Sequence, residues 1–425
     1  MRRISLALTL LTGTVLLSCN SVHNGRSKNL TSITDSLTKE LDSFSKTTLI
    51  PGFAVGLVNE KEMLYGKGFG FAKIKDSIAF TTSTVHSIAS VSKTFLALAV
   101  MKLVEEGKLS LNEPINAILP YKIINPYYPN IPITVRHLVT HQSTLIDDAF
   151  VPYYIGEADI SIINDQKKYD SLPAYLQPNL EYYRMGKRIS LDQNIRNYAV
   201  AGGKWYTDSS FLNKQPGTFF MYSNLGASIA ARIVEIRSGM TYEKFTQQFI
   251  FDPLGMKATF WNIEEADPSK VSQLYAHNKE KDPTSVVEHP QYYMTNFPVS
   301  GLKSSINDLS LYLMEMIKAK HGKGSLLKAA TYEQLFQAAP DVEGLNKSDS
   351  AIFNDKFAIS TFWSITGEGY YEHFGGNVGI YSFLFFDPNS NTGAVGFCNL
   401  RDSDFGDLLS IVYKYQKKIA KIHKD

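Results

Sequence analysis

Apolar side chains return at Ile33, Leu37, Leu41 and Phe44, three or four residues apart, which predicts an amphipathic helix over 31–47. Such a helix needs a sheet to lie on. The run Gly52-Phe53-Ala54-Val55-Gly56-Leu57-Val58, the turn Asn59-Glu60-Lys61 and the return over 63–71 predict an antiparallel hairpin. Over 93–107 the chain is apolar nearly all round and stops at a glycine, as a buried helix does. Leu225, Ile229, Ala230, Ile233 and Ile236 predict a second helix after Pro216-Gly217, and 309–317 predicts a third. Beyond residue 355 the period changes. Segments 363–365, 370–374, 379–386 and 394–400 read as short strands between Gly, Asp, Pro and Asn turns, and a last helix follows over 405–421. Strands at both ends with helices between them predict one sheet built from distant halves of the chain, an inserted helical region, and a cleft between the two.

Length fits that picture: 425 residues exceed what one compact core usually needs, so a two-part unit can hold a deep cleft. Apolar residues make up 44% and charged residues 20%, the balance of a chain that folds. The charges exclude one class of partner. Removing residues 1–18 takes away Arg2 and Arg3 and no acid, so 43 basic against 41 acidic side chains become 41 against 41. With no basic stripe among aromatics, nucleic acid is not an expected partner. Glycines 66, 68 and 70 lack the strand-turn-helix setting of a dinucleotide loop.

Met1-Arg2-Arg3, the apolar stretch 4–17 and Leu16-Leu17-Ser18-Cys19 have the architecture of an export signal. The last four residues resemble the lipobox of bacterial lipoproteins. That resemblance implies a signal over 1–18, an acylated Cys19 and a protein exported to the bacterial cell envelope and anchored in its membrane. A polar stretch over 20–29 then reads as a flexible tether. An ordinary cleaved signal with an incidental cysteine is the alternative. Cys398, in an apolar run, reads as a small buried hydrophobe, and two cysteines make no disulfide framework.

A serine attacks a carbonyl only if something takes its proton, and a lysine three residues later on a helix lies on the same face. Ser90-Val91-Ser92-Lys93 has this spacing, and so do Ser36 to Lys39, Ser43 to Lys46 and Ser325 to Lys328. Only Ser90 opens a buried helix, where burial pushes an amine toward its neutral form. Two more groups bear chemistry. Tyr222-Ser223-Asn224 follows a Pro-Gly turn and precedes a helix, so that a phenol and an amide can project from one bend. His373-Phe374-Gly375-Gly376 ends a strand, where glycines let a substrate approach the backbone. Alone, each has an ordinary reading as an N-cap serine, a turn pair or a strand histidine. The nine histidines read as scattered, without a zinc motif, and no Gly-x-Ser-x-Gly elbow occurs.

In this order and spacing the three groups resemble the Ser-x-x-Lys, Tyr-x-Asn and Lys/His-x-Gly motifs of the serine β-lactamases and penicillin-binding proteins, most closely the class C related branch with its carboxypeptidases, D-aminopeptidases and esterases. Supporting stretches are Val104 to Leu111, Val135 to His141 and Phe386-Asp387-Pro388. One departure is Thr144, where the family usually has glycine.

The resemblance implies an α+β, β-lactamase/transpeptidase-like fold over 31–425: an antiparallel sheet flanked by helices from 31–89 and 300–425, with a mostly helical part over 90–299. It implies Ser90 as nucleophile, Lys93 and Tyr222 sharing proton transfer, and Asn224, His373, Gly375 and Gly376 binding substrate. The main-chain N–H groups of Ser90 and Gly376 would form the oxyanion hole, and no metal or cofactor is implied. Penicillin-cleaving relatives generally carry lysine at the place of His373. Ester, amide or peptide substrates, D-residues among them, are therefore expected over efficient β-lactam turnover. A slowly deacylating penicillin-binding sensor is the competing reading. The polar stretch 146–215, with Tyr153-Tyr154 and Tyr182-Tyr183, reads either as a roof on the cleft or as a surface insertion.

Overall fold

Side-chain alternation organises the sheet. In β1 (Gly52–Asn59), Phe53, Val55 and Leu57 point to one side and Ala54 and Val58 to the other, and all five are buried, so this strand must be central. β2 (Met63–Lys73) and β3 (Ile78–Ala79) follow it. Two short pairs stand apart from the main sheet: β4 (His86–Ser87) with β7 (Lys303–Ser304), and β5 (Leu274–His277) with β6 (Val286–His289). The end of the chain supplies β8 (Ala358–Ile359), β9 (Ser364–Ile365), β10 (Tyr371–Asn377), β11 (Ile380–Asp387) and β12 (Thr392–Cys398). The main sheet runs β3-β2-β1-β12-β11-β10-β9-β8, antiparallel at every pairing. The two halves join where β1 meets β12, in a register from Phe53↔Cys398 to Asn59↔Thr392.

These features belong to a computed structural model that describes residues 13–147, 166–171, 189–278, 284–345 and 357–424, with positions 174, 177 and 282. Tyr153-Tyr154 and Tyr182-Tyr183 lie outside the described residues.

One face of the sheet is covered by the helices Gly13–Ser45 and Phe405–Lys424, whose Leu37, Leu41, Leu408 and Val412 pack with Phe53, Val55, Phe383 and Phe385. The other face carries the Ile306–Lys320 helix. A Cβ on Gly56 would come within 3.0 Å of Ile306 Cγ2 and Ser310 Oγ, so glycine there sets how closely that helix approaches. Beyond it lie the helices Ser92–Glu105 and Asn224–Ser238, which pack against each other in one continuous apolar core with the sheet. Phe95 of the first stacks on Tyr312 at 3.9 Å between centroids.

The first helix differs from its expected extent. It runs Gly13–Ser45 and takes in 20–29, which polarity alone assigns to a flexible tether. That stretch has no proline and a single glycine, Gly25, so nothing in it stops a helix that continues from a packed second half. Among the described residues no helix is long and apolar enough to cross a membrane.

Candidate active site

After β4 the chain makes a single 3-10 turn, Ala89–Val91, and enters the buried helix Ser92–Glu105. Ala89 sits at φ +42°, a left-handed value that costs an L-residue roughly 1–2 kcal/mol. Ser92 Oγ donates to the Ala89 carbonyl at 2.6 Å and helps hold the turn. Ser90 does not cap the helix, since the cap position is Val91 and carries no side-chain cap. The Ser90 Oγ instead meets Lys93 Nζ at 3.1 Å. The other Ser-x-x-Lys matches have different surroundings, Ser300 to Lys303 among them, where Lys303 Nζ donates to the Trp261 carbonyl at 3.1 Å. Lys39 and Lys46 are exposed around the first helix, and Ser325 donates to Glu315.

Lys93 is fully buried and its Nζ also donates to Asn224 Oδ1 at 2.7 Å and to the Val299 carbonyl at 2.9 Å. Burial pushes its pKa down to about 7, against the opposing pull of the Asp147 carboxylate.

The Tyr-Ser-Asn bend works through its middle residue. Ser223 is the N-cap of the Asn224–Ser238 helix, accepting from Gly226 N at 2.9 Å, so Asn224 is the first helical residue and Tyr222 is left outside. The Tyr222 ring centroid lies 4.9 Å from Lys93 Nζ, 4.5 Å from the His141 ring and 6.4 Å from the His373 ring. His141, buried at φ +54°, accepts from Ser223 N through Nδ1 at 3.2 Å. Its proton is therefore on Nε2, which has no hydrogen-bond partner among the described residues. Burial and the nearby Lys93 charge keep it neutral, well below the usual histidine range.

The third wall is β10. Ser382 Oγ donates to the Ile88 carbonyl at 2.6 Å and ties β11 to the serine turn. A Cβ on Gly375 would stand 2.4 Å from the Ile88 carbonyl and 3.0 Å from Ser90 N, so strand and turn approach as closely as glycine permits. β9 pairs with β10 only at Tyr371 and Glu372, which leaves the edge from His373 onward bordering the cleft. His373 Nδ1 lies 2.8 Å from the Phe374 carbonyl, and burial takes its pKa down to about 3. Ser90, His141, Tyr222, His373, Gly375 and Gly376 line one cavity of about 780 Å³, with exposed Arg401 also on its wall.

The structure thus gathers Ser90, Lys93, Tyr222, Asn224, His373, Gly375 and Gly376 around one cleft, and adds Asp147, His141 and the Val299 carbonyl. Asp147 Oδ2 accepts from Asn224 N and from Asn224 Nδ2, both at 2.7 Å. His137 and His141 stand four residues apart, a spacing that the reading of the histidines as scattered passes over. Their ring nitrogens serve separate backbone contacts, since Thr134 N donates to His137 Nδ1 at 3.2 Å.

Thr144 takes φ +68°, which explains why glycine suits that place. Its Oγ1 donates to the Ser143 carbonyl at 2.5 Å and accepts from Asn125 Nδ2 at 2.9 Å, holding a β-branched residue where few occur.

Comparison with known proteins gives the fold and the family. The mouse serine beta-lactamase-like protein LACTB, mitochondrial, is 26% identical over 80% of this chain and 69% of its own length. The octameric penicillin-binding protein homologue from Pyrococcus abyssi superposes with a TM-score of 0.67 at 24% identity, over 89% of this chain and 77% of that one. The D-amino acid amidase from Ochrobactrum anthropi SV3 superposes at 0.66 with 19% identity, over 93% and 99%. These structures share the β-lactamase/transpeptidase-like fold, an antiparallel sheet flanked by helices. With residues 37–411 matching the family described as Beta-lactamase, the chain belongs to the β-lactamase family of serine enzymes and penicillin-binding proteins.

Proposed function

We propose that this protein is a serine hydrolase that cleaves esters, amides or peptides through an acyl-enzyme on Ser90. The setting of Lys93 carries the reading. An amine buried to a pKa of about 7 is substantially unprotonated at neutral pH and can accept a proton. When it is neutral, its two N–H bonds are taken by Asn224 Oδ1 and the Val299 carbonyl, and its lone pair is left for the Ser90 hydroxyl.

Ser90 Oγ attacks the substrate carbonyl carbon as its proton passes to Lys93 Nζ. The bond to the leaving group then breaks, and the leaving alcohol or amine takes that proton back, with Tyr222 beside Nζ sharing the transfer. Water next attacks the acyl ester, releasing the acid and restoring Ser90. We assign the oxyanion to the main-chain N–H groups of Ser90 and Gly376, and the close approach of β10 to the serine turn supports this. One such donor is commonly worth about 3 kcal/mol in the transition state. Asn224, Gly375 and His373 are assigned to substrate positioning.

A carbonyl oxygen only accepts, so His373 donates from Nδ1 to Phe374 and offers Nε2 as a lone pair. Neutral through the physiological range, it is no counter-charge for a penicillin carboxylate. This supports esters, amides or peptides, D-amino-acid compounds included, with weak or no β-lactamase activity. The lipobox-like 16–19 supports export and anchoring through an acylated Cys19 in the cell envelope. Incorporation of a labelled fatty acid, lost in Cys19→Ala, tests that.

Incubation with a chromogenic acyl ester and separately with a penicillin, following product and intact mass in wild type and Ser90→Ala, tests the chemistry. Ester turnover with a transient acyl mass, both lost in the variant, is expected. A stable acyl mass without turnover would favour the slowly deacylating sensor, and the absence of any acyl mass at Ser90 would count against the catalytic assignment.

A further inference from the structure

An asparagine amide can face a neighbour with either its oxygen or its nitrogen, and which one it presents depends on its other contacts. Asn224 has no freedom here. Asp147 Oδ2 accepts from both Asn224 N and Asn224 Nδ2 at 2.7 Å, while its Oδ1 accepts from Leu225 N at 3.0 Å and faces Ser223 Oγ at 3.4 Å. A carboxylate only accepts, so it demands the NH2 side of the amide and turns Asn224 Oδ1 toward Lys93.

We propose that Asp147 is a positioning residue for catalysis: by fixing the amide of Asn224, it directs the lone pair of Lys93 at Ser90. The inference rests on the proposed function of this site. With the amide reversed, an N–H donor would face Nζ and occupy the lone pair that must receive the serine proton. Asp147 also sets the charge of the site. The titratable groups facing Lys93 are Asp147, Tyr222, His141 and His373, and both histidines are neutral. The carboxylate therefore opposes the desolvation that would otherwise drive Lys93 further down.

Asp147 also satisfies the N-terminus of a 15-residue helix, so a loss of activity alone would not separate positioning from folding. The test uses the full chain in detergent and reads the rate of Ser90 acylation by a fluorophosphonate against pH. In Asp147→Asn the residue at 147 can donate, and the amide of Asn224 is released. The expected result is an acylation rate about 100-fold lower, the lower end of what a general base contributes. The acid limb should move to lower pH by about half a unit or more, because a carboxylate no longer favours the ammonium. In Asp147→Asn/Asn224→Asp the new carboxylate presents only acceptors to Lys93 and takes its hydrogen bond from Asn at 147. Acylation should recover at least about tenfold over the single variant, with its acid limb above that of wild type.

A single variant that melts earlier yet keeps the wild-type rate and limb would overturn the proposal. So would a folded double variant that shows no recovery, including the case in which the single variant fails to fold. If wild type itself is not acylated at Ser90 at any pH, the proposed function fails rather than the role of Asp147.

Discussion

The Nδ1–H of His373 donates to the carbonyl of Phe374 at 2.8 Å, so the nitrogen left for the cleft is a bare lone pair and not a cation. His373→Lys would place an ammonium at that wall. A hydrogen bond to a charged group is worth about 1.5–3 kcal/mol, so acylation by a penicillin should rise about tenfold relative to a neutral ester. Intact-mass time courses with both compounds check this. An unchanged ratio would mean that the carboxylate is not read at this strand.

Lys93 loses its proton as pH rises through about 7, because burial outweighs the pull of Asp147. Acylation requires the free amine, so its rate should climb through that value and level off above it. A flat profile from about pH 5 to about 9 would exclude Lys93 as the base.

The same buried amine weakens the fold. Between about 7 and the unfolded value of 10.5, the unfolded chain holds a proton that the folded one lacks, so stability should rise with pH across that window. Lys93→Met removes the desolvation penalty but strands Asn224 Oδ1 and the Val299 carbonyl. A net gain on the order of 2 kcal/mol at neutral pH is expected, with activity lost, as read by urea unfolding.

Thr144 holds its left-handed backbone with the help of its hydroxyl. Thr144→Val keeps the strain and loses both hydrogen bonds, so it should cost about 2 kcal/mol. Thr144→Gly relieves the strain and should stay within about 1 kcal/mol of wild type. Equal losses in the two variants would show that the conformation is not what the hydroxyl supports.

Gly375→Ala would press a methyl group to within 2.4 Å of the Ile88 carbonyl and crowd Ser90 N. The strand must then move away from the serine turn. Acylation should fall at least about 100-fold, the size of an oxyanion-donor loss, with a lower melting temperature. Retained acylation would place the oxyanion donors elsewhere.

Much of this architecture is legible along the chain wherever the signal is periodic. The four-residue spacing of Leu37 and Leu41, the all-round apolar run after Lys93 and the apolar stretch 379–386 between turn residues all identify elements that form. Ser90, Tyr222 and His373 are legible only together, because each has an ordinary reading alone and their order and spacing resemble the motifs of one family. Asp147 is not. It contacts Asn224 across 77 positions of sequence, and an acid in the pair Asp147-Asp148 after Leu145-Ile146 has no periodic or motif signature. The Val299 carbonyl is hidden for a stronger reason, since a main-chain oxygen leaves no mark on residue type. Thr144 shows up only as a departure from a family pattern, and its meaning needs the backbone angle. The short pairs β4–β7 and β5–β6 escape because two to four residues are too few to show alternation.

The seam between β1 and β12 also bears on how the molecule is made. Phe53 and Cys398 sit opposite each other, and the wall of the cleft beside Ser90 comes from β10, near the end of the chain. A nascent chain that has emerged as far as the Asn224–Ser238 helix has its serine, lysine and tyrosine but neither the strand that faces them nor the partner that closes the central sheet. Such long-range pairing folds slowly and leaves strand edges exposed until synthesis is nearly complete. The assembled catalytic pocket is therefore a late product of folding, and every truncation before β10 should be inert whatever residues it retains.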